Sequence, residues 1–158
     1  MKKVDIETRF LVDEGRWGAD DGERKRLSDA VADYCYEYAR RTVAHSREVL
    51  ERLRPYYGMV LVSNFYGNIG TILRDFRLDC FAHVIESAVV GVDATGCLPG
   101  EVLVVGDSYD KDVVPAHTVG CATAWLKGEG WTADEPDGSL ADCIITDLSD
   151  LLKYLNHD

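Results

Sequence analysis

The sequence has no apolar run long enough to cross a lipid bilayer as a helix. Positive charge is also scarce, because 17 lysines and arginines stand against 28 aspartates and glutamates, for a formal net charge of −11. Nucleic acids and anionic membranes are themselves negatively charged, so this surplus of acid disfavours both as partners. A small anionic substrate stays compatible with it, because a bound cation can reverse the field locally.

Cysteine spacings typical of metal or redox sites are absent. The five cysteines are odd in number, and no two are spaced as CxxC. Most lie in apolar stretches, so we expect reduced, buried thiols in a cytoplasmic protein rather than disulfides or a zinc site. The first seven residues, Met-Lys-Lys-Val-Asp-Ile-Glu, are too acidic for a secretory signal peptide.

The amino-terminal third is helical in pattern. The chain has 158 residues, 46% of them apolar, which is enough for a folded domain with a core. Apolar side chains recur at helical spacing over 23–54, and we expect two helices there with a joint near 42–45. Ser46 would cap the second helix, and Pro55 would follow its end. The tyrosines at 34, 36 and 38 are expected to pack in the core and the cap, and the alternative is that they contact substrate.

From Gly58 onward, predicted strands alternate with predicted helices. Such alternation is typical of a parallel, doubly wound α/β sheet. The expected strands are 59–62, 81–86, 102–105, 121–125 and 143–145, and the expected helices are 69–76, 113–118 and 148–155, the last capped by Asp147.

The stretch 102–112, Val-Leu-Val-Val-Gly-Asp-Ser-Tyr-Asp-Lys-Asp, is the most informative part of the chain. Its four apolar residues predict a buried strand that ends at Gly106. Asp107 and Asp112 follow at the carboxyl end of that strand, where open α/β sheets bind ligands. Two carboxylates there suit Mg²⁺, which takes a few protein oxygens and leaves its other positions to water and phosphate. The alternative is that these acids only cap and charge the next helix.

Two segments resemble motifs of the haloacid-dehalogenase-like (HAD) hydrolase superfamily. Residues 60–64, Val-Leu-Val-Ser-Asn, are similar to the second motif, a strand ending in Ser or Thr, and 106–112 are similar to the fourth, GDxxxxD. The resemblance covers about 46–155. It implies an α/β fold, a HAD-like Rossmannoid parallel sheet with helices on both faces, to which 23–54 would add part of a helical cap.

The resemblance also implies a reaction. In this family a nucleophilic aspartate attacks phosphorus, and water hydrolyses the aspartyl-phosphate that forms. Mg²⁺ neutralises charge on the transferring group. By resemblance, Ser63 and Asn64 would bind phosphate, and Asp107 with Asp112 would hold the metal. A helix beginning just after Asn64 would point its N–H groups at the anion. The alternative is that Ser63 and Asn64 are ordinary turn residues.

Two further motifs of the family have no good match. Asp5 is the candidate nucleophile, in a poor copy of the first motif, and the alternative is an acidic helix start or a loose terminus. No lysine lies between Lys25 and Lys111 to serve as the third-motif lysine. In the family the first-motif strand separates the second-motif and fourth-motif strands, so its absence predicts two parallel half-sheets facing a gap. We therefore expect an incomplete version of a HAD-type hydrolase, unless residues 1–12 or another chain supply the strand.

These observations lead to one main hypothesis and two alternatives. We expect a partial helical cap at 1–54, a core domain at 55–158, and Mg²⁺-dependent hydrolysis of a small phosphorylated metabolite. The first alternative is a non-catalytic HAD-like domain that binds phosphate, metal or another protein. The second is a receiver-like signalling domain, which would need an acceptor aspartate and a lysine on other strands. The oligomeric state does not follow from the sequence.

Overall fold

The computed structural model describes residues 21–63, 69–85, 96–128 and 136–156. The chain divides into two compact units, Met1–His45 and Ser46–Asp158. In the part described, the first unit consists of helix residues, and the second contains both sheets. The predicted cap and core boundary at 54/55 remains a prediction.

A single helix, α1, runs over Asp21–Leu53, so the expected joint near 42–45 is wrong. The physical reason is that residues 23–53 contain neither glycine nor proline to interrupt it. The Thr42 hydroxyl donates to the Tyr38 carbonyl one turn earlier, over a distance of 3.1 Å. The helix ends two residues before Pro55, as expected.

Over residues 27–38 the apolar stripe of α1 is exposed rather than buried. Tyr34 is 74% exposed and Tyr38 66%, and Leu27 and Val31 on the same face are exposed as well. The expectation that the tyrosines pack in a core is therefore wrong. Helical spacing predicts which side chains share a face, but it does not show that another element covers that face.

The described strands form two parallel sheets, which confirms the α/β fold class. In one sheet β1 pairs with β2, and in the other the order is β3-β4-β5. No described strand joins the two sheets, as the missing first-motif strand predicts. The strands are β1 (Val60–Val62), β2 (His83–Ile85), β3 (Leu103–Gly106), β4 (Ala122–Leu126) and β5 (Cys143–Ile145).

Short helices follow strands β1, β3 and β5, close to where the sequence predicts them. They are α2 (Ile69–Asp75), α3 (Val114–Val119) and α4 (Asp150–Tyr154), and a π-helical turn over Tyr109–Val113 leads into α3. The last helix is shorter than expected. The Asp147 carboxylate accepts from the Ser149 backbone N–H at 2.8 Å, ahead of the helix rather than at its cap position.

One apolar core holds the second unit together. It joins the end of α1 to strands β4 and β5 and to α4. Met59, just before β1, and Leu103, at the start of β3, both pack against this cluster. The buried members are Val49, Leu53, Ala124, Ile145, Leu151 and Leu152.

All five cysteines lie in the described part of the chain, and none is in a disulfide. Cys80 and Cys121 are buried as expected and Cys143 is half-buried, whereas Cys35 and Cys97 are exposed. Burial raises the pKa of the Cys80, Cys121 and Cys143 thiols, because the thiolate is poorly solvated there. Within the residues that the structure describes, no helix combines the length and hydropathy needed to cross a membrane.

Candidate active site

The acidic loop, defined as residues 106–112, begins where β3 ends. Gly106 is the last residue of the strand, and the π-helical turn starts three residues later. The Ser108 hydroxyl accepts from the Lys111 backbone N–H at 3.3 Å and so caps that turn. Pro115 lies in the first turn of α3, where its missing N–H removes no helical hydrogen bond. The local sequence therefore directs the chain from strand to helix within a few residues.

Asp112 folds back over the start of the loop. Its Oδ2 accepts from the Ser108 backbone N–H at 2.9 Å, and its own N–H donates to the Ser108 carbonyl at 2.8 Å. A Cβ built on Gly106 would overlap the Asp112 carboxylate, so that position needs glycine. The carboxylate thus lies against the backbone on both sides of Asp107. One oxygen of this carboxylate therefore braces the loop.

Asp107 lies between Gly106 and Ser108, the two residues that Asp112 contacts, and it is exposed. Its backbone carbonyl accepts a hydrogen bond of 3.1 Å from the indole N–H of Trp125, on the neighbouring strand β4. The structure therefore brings Asp107 and Asp112 together at the carboxyl end of a parallel strand, which is where the sequence predicts them.

Ser63 occupies the equivalent position on the other sheet. It follows β1 directly, is half-buried, and donates its backbone N–H to the Ile85 carbonyl at 2.9 Å, which extends the pairing with β2. Helix α2 is described from Ile69 onward, with Ile69 buried. The other two predicted site residues, Asn64 and Asp5, lie outside the described residues.

The donor chemistry of the acidic loop fits a magnesium ion. Mg²⁺ prefers hard oxygen ligands and is commonly bound by one or two carboxylates, with water and phosphate completing its shell. Asp107 and Asp112 supply two carboxylates on one short loop. Within the described ranges, no cluster of three or more histidine, cysteine, aspartate or glutamate side chains could hold a metal. The acidic loop therefore fits a magnesium ion whose remaining oxygen ligands come from water or phosphate.

Several residues that shape the loop escaped the sequence analysis. Trp125 is 6% exposed and makes the bond to Asp107, and the Tyr109 ring meets it edge-on at 5.0 Å between centroids. The Tyr109 hydroxyl accepts from the Leu140 backbone N–H at 3.0 Å. A tryptophan in a predicted buried strand was the available signal, because a buried indole N–H needs an acceptor. Nothing in the sequence pairs it with residue 107.

Comparison with known proteins agrees with this arrangement. A protein-family model described as "HAD-hyrolase-like" matches residues 79–151, which include the whole acidic loop. No curated protein matches the sequence significantly.

Solved structures share the fold. A HAD phosphatase from Thermococcus onnurineus is 26% identical with a TM-score of 0.59, over 72% of this chain and 58% of its own. A predicted phosphoglycolate phosphatase from Haemophilus somnus is 22% identical with a TM-score of 0.59, over 94% of this chain and 73% of its own. A HAD-hydrolase from Bacillus subtilis, bound to magnesium, is 19% identical with a TM-score of 0.50, over 98% of this chain and 80% of its own.

The chain thus spans well under two thirds of the length of the Thermococcus protein. The family match falls on the segment that carries the acidic loop and strands β3, β4 and β5. The parallel sheets and the family model thus agree with the resemblance seen in the sequence, and the segment over 79–151 is similar to haloacid-dehalogenase-like hydrolases.

Proposed function

We propose that the chain is a Mg²⁺-dependent hydrolase of the HAD type, a phosphatase acting on a small phosphorylated metabolite. The observation that carries the proposal is the braced acidic loop. Asp112 holds the backbone on both sides of Asp107, at the carboxyl end of a parallel strand and inside the family match. The Thermococcus protein is described as a HAD phosphatase, which supports phosphate hydrolysis as the reaction. The magnesium-bound Bacillus structure supports the ion.

Each predicted site residue has a distinct task in this proposal. Asp107 binds the cation through its carboxylate, and Asp112 keeps the loop in shape and offers its second oxygen. When bound, Mg²⁺ would offset negative charge on the phosphoryl group. Ser63 would donate its hydroxyl to a phosphate oxygen, with Asn64 beside it. Asp5 remains the candidate nucleophile within this sequence.

The wider assignments follow from the same proposal. A net charge of −11 is compatible with a small phosphorylated substrate, since a cation held at Asp107 would reverse the field locally. We place the protein in the cytoplasm, with neither nucleic acid nor membrane as partner. Residues 1–54 would act as a partial cap and 55–158 as the core.

A specific observation favours a second candidate, a non-catalytic domain that binds metal or phosphate. In the ranges that the structure describes, no third carboxylate joins Asp107 and Asp112, and a metal-dependent phosphatase of this class also needs a nucleophile. This candidate predicts ion or phosphate binding without turnover.

Hydrolysis of p-nitrophenyl phosphate separates the two candidates. The unsubstituted chain, Asp107→Asn and Asp110→Asn are compared with and without Mg²⁺ in excess. Asp110→Asn is the matched control, because Asp110 is an exposed acid of the same loop and its loss changes the net charge equally. The proposal predicts magnesium-dependent turnover that Asp107→Asn lowers at least a hundredfold and Asp110→Asn leaves nearly unchanged. Equal background rates in all three proteins would contradict catalysis.

A further inference from the structure

Trp125 reaches from strand β4 to the backbone of the acidic loop. Its ring is buried, and its indole N–H donates to the Asp107 carbonyl at 3.1 Å. That carbonyl belongs to the residue whose carboxylate we assign to the cation. The bond restricts rotation of the peptide group between Asp107 and Ser108. It thereby limits the directions in which the Asp107 carboxylate can point.

Tyr109 ties the same loop to a second segment. Its hydroxyl accepts from the Leu140 backbone N–H at 3.0 Å, and its ring packs edge-on against Trp125 with an interplanar angle of 61°. Edge-to-face contacts of this kind favour one relative orientation of the two rings. The loop is therefore held through Trp125 near its start and through Tyr109 near its middle.

The segment that receives Tyr109 is itself fixed. The hydroxyl of Thr123, which is fully buried, lies 3.1 Å from the Leu140 carbonyl and 3.0 Å from the Asp142 carboxylate. The Asp142 carboxylate also accepts from the Thr123 backbone N–H at 2.8 Å. Both backbone polar groups of Leu140 are thus bonded, one to Thr123 and the other to Tyr109. The hydrogen bond between Tyr109 and Leu140 therefore joins the acidic loop to a segment that further hydrogen bonds hold in place.

From these contacts we infer that Trp125 and Tyr109 are positioning residues for a divalent cation held at Asp107. Neither side chain touches the ion. Each holds the loop backbone in the shape that aims the Asp107 carboxylate, in the way that groups behind metal ligands set metal affinity. The inference rests on the proposed function, since it assumes a cation at Asp107.

The test is a Mg²⁺ titration at constant ionic strength, followed by the NMR shifts of the Asp107, Ser108 and Asp112 amides. Trp125→Phe keeps an aromatic ring and removes the N–H, and Tyr109→Phe removes only the hydroxyl. Tyr154→Phe, on helix α4, is the control for loss of a tyrosine hydroxyl. Ile145→Val, at a residue that is 3% exposed, is the control for a small loss of core packing. All proteins are compared well below their unfolding temperatures.

The inference predicts that Trp125→Phe and Tyr109→Phe each weaken Mg²⁺ binding about tenfold, the lower end of the usual effect of such groups. Ile145→Val and Tyr154→Phe should bind as the unsubstituted chain does, although Ile145→Val is less stable. If all variants bind Mg²⁺ equally, the positioning role is wrong and the proposed function stands. If the unsubstituted chain shows no saturable shift at these amides, the cation site of the proposed function is wrong and the inference falls with it.

Discussion

The carboxylate of Asp112 occupies the space in which a side chain at residue 106 would begin. A Cβ added to Gly106 would overlap the Cβ, the carboxyl carbon and one oxygen of Asp112, so glycine and carboxylate depend on each other. In the sequence these two residues open and close the GDxxxxD pattern. In the structure they are in contact, because the loop between them folds back on itself.

Gly106→Ala should therefore open the acidic loop. Because the clash involves the short Asp112 side chain and not the end of a flexible one, we expect a loss of about 1–3 kcal/mol in the free energy of unfolding. Gly70→Ala is the matched control, since a Cβ at that helical glycine would meet no other atom within 4 Å. Alanine favours a helix over glycine by up to about 1 kcal/mol, so Gly70→Ala should stabilise the chain. Urea unfolding measures both, and equal effects of the two variants would contradict the account.

Thr123→Val should destabilise the second unit. The substitution keeps the side-chain shape but leaves the Leu140 carbonyl and the Asp142 backbone N–H without the hydroxyl partner. A buried polar group that loses its partner costs about 1–3 kcal/mol. Thr118→Val, at an exposed threonine whose hydroxyl donates to the Val114 carbonyl, is expected to change stability by less than about 0.5 kcal/mol. Thermal unfolding of the two variants gives the comparison, and a Thr123→Val protein as stable as the parent would refute the role of this network.

Protonation of the Asp150 carboxylate in acid should lower the free energy of unfolding. Hydrogen bonds from the backbone N–H groups of Asp147 and Thr146 lower the pKa of its carboxyl below the usual range. A lowered folded pKa gives a stabilisation that is present above the unfolded pKa of about 3.9 and disappears as pH falls through the folded value. Asp150→Asn should therefore be less stable than the parent at pH 6, and the two should converge toward pH 2. Melting temperatures across this range measure the gap, and a constant gap would contradict the assignment.

The cysteines should react in two groups. Iodoacetamide attacks the thiolate, so a thiol that is shielded and has a raised pKa reacts slowly. Cys35 and Cys97 are exposed and should be labelled first. Cys121, for which burial raises the pKa of the thiol, should be labelled slowly in the folded chain and rapidly in urea. Peptide mass spectrometry over a time course measures the order. Labelling of Cys121 as fast as that of Cys35 would show that the core is not formed as described.

The sequence predicts the strand-to-acid transition at Gly106 well, because its signals are local. Four apolar residues, a glycine and three acids follow one another within eleven positions, and the structure places Asp107 and Asp112 on one loop. The parallel pairing also follows from the alternation of strands and helices. The missing first-motif strand predicts the separation into two sheets, and the strand order agrees.

What the sequence does not predict depends on distant partners. The bond from Trp125 to Asp107 joins positions 18 apart, and the bond from Thr123 to Asp142 joins positions 19 apart, and no periodicity encodes either. Ser46 is a residue type that often caps a helix, but serine does not by itself interrupt one, and α1 continues through 42–45. The exposure of Tyr34 was missed because burial is a property of neighbours, which a single helix does not reveal.

In the proposed function, a cation at Asp107 and an anion at Ser63 occupy one shared site. A crystal structure with Mn²⁺ in place of Mg²⁺, and with tungstate in place of phosphate, tests it most directly, because anomalous scattering locates both. The account predicts manganese about 2.0–2.2 Å from an Asp107 carboxylate oxygen. It also predicts tungstate within hydrogen-bond distance of the Ser63 hydroxyl, with an oxygen directed at the manganese. Manganese away from Asp107, or tungstate away from Ser63, would contradict it.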